Sequence, residues 1–198
     1  MASSKPSRIP WSIVIILILI TAVVLITALV SSQNERVTLQ NSTQQYLNAL
    51  GDMQVTQLEN WVSERYGDAR LAKDDPWLAS QAAQYSAGAG NPQAFQAWAD
   101  SLLSKGQYAQ ILILDRSQKP LYSSREGTPE ISPRLIEAAQ QANRTGEVIS
   151  TDFYQGAASG ETWLDFVTPL RSSENVMAGT LVLRVDPANA LFPFLQTT

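Results

Sequence analysis

The chain contains neither cysteine nor histidine. Without cysteine there is no disulfide framework and no thiolate metal site. Without histidine the commonest general base, the imidazole of nucleophilic triads and the usual zinc ligand are all missing. Most hydrolytic mechanisms become hard to build, so the chain is read as a non-enzyme that needs neither metal nor cofactor. A glycine-rich phosphate loop is lacking too, because Gly88-Ala89-Gly90 follows no strand. Asp74 and Asp75 are explained by helix capping, and no acidic loop has the spacing of a calcium-binding EF-hand.

Charge is as unevenly distributed as chemistry. From Trp11 to Val30 twenty residues carry no charge, and only Lys5 and Arg8 are charged before them. At ~1.5 Å per residue a helix over this run covers about 30 Å, one hydrocarbon core. We read a cytoplasmic tail at 1–10 and a transmembrane helix at 11–30, with residues 31–198 outside by the positive-inside bias. The alternative, a cleavable signal peptide, has an apolar core of only ~7–15 residues and a small-residue cleavage site; Ala28-Leu29-Val30 matches that site poorly. The outer part holds all eighteen acidic residues and twelve of the fourteen basic ones, a formal net charge of −6. That balance argues against nucleic acid or an anionic membrane surface as a partner.

Beyond the anchor, Leu47, Leu50, Leu58, Trp61, Val62, Ala69 and Ala72 recur at spacings of three, four and seven, which mark one helical face. A long membrane-proximal helix is expected over 31–73, beginning at about Ser32, with an apolar seam suited to homodimer formation. Asp74-Asp75-Pro76 ends it and caps a short helix over 77–87, and a further helix covers 93–104. The pattern then turns to strands. Residues 108–115 and 120–124 form a hairpin, and 132–143 form a helix capped by Ser132. Three more strands are expected at 147–153, 162–170 and 176–186, with a short terminal helix over 188–195. The fold class is α+β: a five-stranded antiparallel sheet packed on one face by helices.

The segments Leu58-Glu-Asn-Trp-Val-Ser-Glu-Arg-Tyr-Gly-Asp-Ala-Arg70, Ile111-Leu-Ile-Leu-Asp-Arg116 and Leu121-Tyr-Ser-Ser124 resemble the extracytoplasmic Cache (PAS-like) sensor domains of bacteria. So do Gly146–Tyr154, Leu164–Leu170, Gly179–Pro187 and Leu191–Leu195, and the nearest likeness is to the double sensory domain of two-component sensor kinases. The resemblance implies that 74–198 is a sensory domain that binds a small molecule and passes the signal through the long helix. Members of that family commonly continue into a second module, another membrane helix and a transmitter. The 198 residues hold signal input without output, as a piece of a longer receptor or as a stand-alone anchored module.

The resemblance also implies a pocket between the sheet and its covering segments, so polar residues on inward strand positions are the candidates. Asp165 lies in an apolar strand and shares a face with Trp163 and Val167. It is read as a ligand-facing carboxylate, in a cavity walled by Trp163, Tyr154 and Tyr122. Its replacement by Asn would then weaken the ligand and spare the fold. If that face is solvent instead, Leu164, Phe166 and Thr168 line the interior. Asp152 and Arg125 complete the candidate set, Arg125 because a guanidinium can grip a carboxylate at two points. Arg184 is expected to pair with an acidic neighbour on the exposed face. The competing reading is an envelope interaction module without a pocket.

Overall fold

The computed structural model describes residues 11–105 and 107–193, and the side chains of 19–27, 48–91, 93–105 and 107–193. It divides into two compact units, residues 1–53 and 54–198. Residues 11–53 of the first belong to helix α1 (Trp11–Lys73), which contains no proline. In it the Thr27 hydroxyl donates to the carbonyls of Val23 and Val24 at 2.9 and 3.0 Å, so it is satisfied within its own helix. Among the described residues no helix is long and apolar enough to cross a membrane. The tail 1–10, part of the span 11–30 and Leu47 of the seam lie outside the residues whose side chains are described.

In the second unit the helix starts agree closely with the sequence. Asp75 caps α2 (Pro76–Ser86) by accepting from the Trp77 amide at 2.9 Å, and Asn91 caps α3 (Pro92–Leu103) in the same way. Strands β1 (Gln110–Leu114) and β2 (Pro120–Ser123) form the expected hairpin, whose turn is closed by Asp115 accepting from the amides of Ser117 and Lys119. Helix α4 (Pro133–Thr145) starts at the Ser132 cap and ends at Gly146, whose φ of 76° favours glycine. Then come β3 (Ile149–Ser150), β4 (Tyr154–Gln155), β5 (Thr162–Arg171), β6 (Met177–Val185) and α5 (Pro187–Ala190).

The antiparallel sheet runs β2-β1-β6-β5-β3, with β4 also on β5, giving six strands instead of five. The expected strand over 147–153 is replaced by two short pieces. Ser150 lies opposite Phe166 but Tyr154 opposite Trp163, so this side carries one residue more than β5 between the two pairs. The extra residue breaks the ladder as a bulge does. At the break the Thr151 amide donates to the Asp165 carbonyl, and the Thr151 hydroxyl accepts from the Asp165 amide.

Helices cover both faces of the sheet, not one. Leu164, Phe166, Leu170, Leu181 and Leu183 pack with Trp61, Ala69 and Ala72 of α1 and with α2 and α3. Leu112, Leu114, Val167 and Val182 pack with Leu135, Ala138, Ala139 and Ala142 of α4. Double burial is why β5 and β6 read as near-continuous apolar runs.

Candidate functional site

Two charged residues face each other across the middle of this sheet. Asp165 of β5 is paired in register with Arg184 of β6, and Arg184 is paired with Gln110 of β1. One row across three strands therefore carries an amide, a guanidinium and a carboxylate on the face shared with Trp163. Asp165 is 0 % and Arg184 1 % exposed. Arg184 Nε donates to Asp165 Oδ1 at 2.9 Å, Nη2 to Asp165 Oδ2 and to the Tyr154 hydroxyl, and Nη1 to Gln110 Oε1 and the Glu130 carbonyl. All five guanidinium N–H groups are thereby engaged. Tyr154 donates in turn to Asp165 Oδ2.

Burial opposes charge on Arg184, but the hydrogen bonds and charge of Asp165 outweigh it and hold its pKa above the ordinary value. Burial, then the adjacent Asp165 charge, push the Tyr154 phenol upward as well. The cluster is a closed ion pair with a neutral phenol attached.

Above this row lies a cavity of about 290 Å³, floored by Gln110, Trp163 and Arg184 and roofed by residues from 125–130 and 158–161. Two ties hold the roof together. Arg125 Nη1 faces Glu161 Oε2 at 3.4 Å. The Glu130 carboxylate accepts from the Ala158 amide at 3.1 Å and from the Ser159 hydroxyl at 3.3 Å. These backbone and hydroxyl donors, the Ala158 amide foremost, hold the Glu130 carboxyl below its ordinary value. At the cavity wall Trp163 is 4 % exposed, and its indole nitrogen is buried with no hydrogen-bond acceptor. A buried, unmet donor is costly.

The six sequence candidates are not gathered into one cavity. Arg125 and Trp163 line it. Asp165 and Tyr154 lie behind its floor, joined to it through Arg184. Tyr122 is on the opposite face of the sheet, packed against Phe95 and Tyr85, with its hydroxyl on Gln96 Oε1 at 2.8 Å. Asp152 borders a separate apolar groove of about 640 Å³ formed by Leu58, Trp61, Phe153, Phe166 and Phe192. Arg184, expected on an exposed face, is buried because Asp165 stands opposite it on the covered one. Gln110, Glu130 and Glu161 were not foreseen; the acidic partner of Arg184 was, and what the sequence missed is that the pair is buried.

No protein-family model and no curated protein matches the sequence, but solved structures match the fold. The ligand-binding domain of the Pseudomonas aeruginosa amino acid chemoreceptor PctC, in complex with GABA, superposes with a TM-score of 0.54 at 18 % identity over 78 % of this chain and 65 % of its own. The ligand-binding domain of the Campylobacter jejuni chemoreceptor Tlp3, in complex with 4-methylisoleucine, gives 0.59 at 11 % over 74 % and 59 %. The sensor domain of the V. cholerae histidine kinase DctB gives 0.58 at 15 % over 74 % and 57 %. The chain has the fold that these ligand-binding and sensor domains share. This chain spans about six tenths of the length of those structures.

Proposed function

We propose that this chain is a membrane-anchored, extracytoplasmic signal-input module that binds a small molecule in the cavity between the β1-β6-β5 face and the tied segments 125–130 and 158–161. The observation that carries the reading is that cavity, floored by Gln110, Trp163 and the fully engaged Arg184. The similar structures lend support, since PctC, CtaA of Pseudomonas fluorescens and Tlp3 are ligand-binding domains. A membrane setting is supported by the run 11–30, in which Leu19, Ile20 and Val23 to Ile26 are each more than half exposed, a surface suited to lipid. With only Lys5 and Arg8 preceding it, the sensory part lies outside.

The test is a thermal-shift screen of the full chain in detergent against amino acids, organic acids, amines and purines. A ligand at a hundred times its Kd stabilises by ~2.7 kcal/mol, and each kcal/mol moves the Tm of a chain this size by about 2–4 °C. A reproducible shift is expected for at least one class; a blank screen would overturn the reading. Protease added to spheroplasts should digest the domain, and full protection would reverse the orientation.

The apolar groove at Leu58, Phe153 and Phe192 favours a second reading, an envelope interaction module. It predicts that a partner protein, not a small molecule, stabilises the chain. In either reading Leu50 and Leu58 of α1 offer a seam for a weak homodimer, which the membrane would reinforce by confining chains to two dimensions.

A further inference from the structure

The charges around the cavity restrict what can occupy it. Two guanidinium groups, Arg125 and Arg184, and three carboxylates, Glu126, Glu130 and Glu161, line it. Both cations already face a carboxylate. Every N–H of Arg184 is engaged, and its charge is met by Asp165 at 2.9 Å. Arg125 stands against Glu161. Two carboxylates remain: Glu130 meets only amide and hydroxyl donors, and Glu126, which is exposed, faces no cation among the described residues.

A ligand carboxylate entering here finds no guanidinium charge that is not already faced by a carboxylate, and two further carboxylates that no cation offsets, an arrangement that disfavours anions by like-charge repulsion. A ligand cation finds the reverse. Resting on the ligand-pocket reading above, we propose that the ligand is an organic amine without a carboxylate. Its ammonium is held by Glu126 and Glu130.

Isothermal titration calorimetry on the full chain in detergent tests this with amino alcohols, amino acids and hydroxy acids matched on the same two- to six-carbon skeletons. At least one amino alcohol should bind, and its amino acid and hydroxy acid counterparts should bind roughly ten- to a hundredfold more weakly or not at all. Glu126→Gln, which leaves the Glu130 tie to Ala158 and Ser159 intact, should weaken the amino alcohol by a similar factor in a chain that melts normally. Glu130→Gln should weaken it as well, and added salt should weaken it too, because the Glu126 charge is exposed. Tighter binding of an amino acid or hydroxy acid would overturn the inference and leave the ligand pocket standing. So would amino alcohol binding that ignores both Glu substitutions. If all three series are blank the inference falls, and the pocket falls with it only if the wider thermal-shift screen is blank as well.

Discussion

At the scale of single residues, the decisive fact is that Asp165 is paired by its own chain. A carboxylate that is 0 % exposed and held by Arg184 at 2.9 Å supports the floor of the cavity. This changes what its substitution reports. Asp165→Asn strips the counter-charge from a buried guanidinium, a loss that typically costs ~3–5 kcal/mol. Urea unfolding should show a loss of that order, where sequence reasoning expects an intact fold. The double variant Asp165→Leu with Arg184→Met should lose less than Asp165→Asn alone, since it leaves no orphaned charge; a double variant as unstable as the single would show that the pair does more than neutralise itself. Glu130 gives a pH-dependent counterpart. Its folded pKa lies below the free value of 4.5. The stability from its bonds to Ala158 and Ser159 is therefore complete above pH 4.5 and lost as pH falls through the lower folded value. Amide exchange at 158–160, corrected for its intrinsic pH dependence, should lose protection in that acid window in the native chain, whereas Glu130→Gln should be loosened at all pH values and flat across it.

Among the elements, strand β5 shows where sequence reasoning ends. Alternation puts Trp163, Asp165 and Val167 on one face and Leu164, Phe166 and Leu170 on the other, and the structure keeps that partition. It could not say which face holds the pocket, because helices bury both and Trp163–Leu170 carries no exposed residue to break the symmetry. Caps were legible, since Asp75, Asn91 and Ser132 act through bonds to amides two or three residues on. The split of 147–153 into β3 and β4 was not, because it depends on register against a separate strand, seven to eighteen residues further on. Close approach between strands is equally invisible in a sequence. At Gly179 an added Cβ would lie 2.8 Å from the Leu114 carbonyl oxygen, a backbone atom that cannot swing aside. Gly179→Ala should cost about 1–3 kcal/mol as overpacking, read by equilibrium unfolding, together with faster amide exchange at the β1–β6 pairing. An unchanged midpoint would mean that β1 can shift at no cost.

For the molecule as a whole, α1 has two surfaces to serve, and the structure assigns part of it to the sheet. Trp61, Arg65, Ala69 and Ala72, at spacings of four, four and three, are all buried. Arg65 lies over the rings of Trp61 and Tyr108 at 5.5 and 5.3 Å and bonds to Asp68 and Gln107, which fixes this stretch to the start of β1. The seam expected over Leu47, Leu50, Leu58 and Trp61 therefore loses Trp61, which stacks edge-on against Phe166. What remains for a second copy lies before it, where Met53, Val55 and Leu58 are 46, 56 and 38 % exposed. A helical face cannot pack on a sheet and on a partner helix at once, so a dimer would use only the stretch N-terminal to Trp61. The chain has no cysteine, so single cysteines can be placed along 40–72 and oxidised in native membranes without background. Crosslinks should recur every three to four residues up to Leu58 and should be absent at 61, 65, 69 and 72. Crosslinking at those buried positions, or with no periodicity before them, would mean that the chains meet through some surface other than α1.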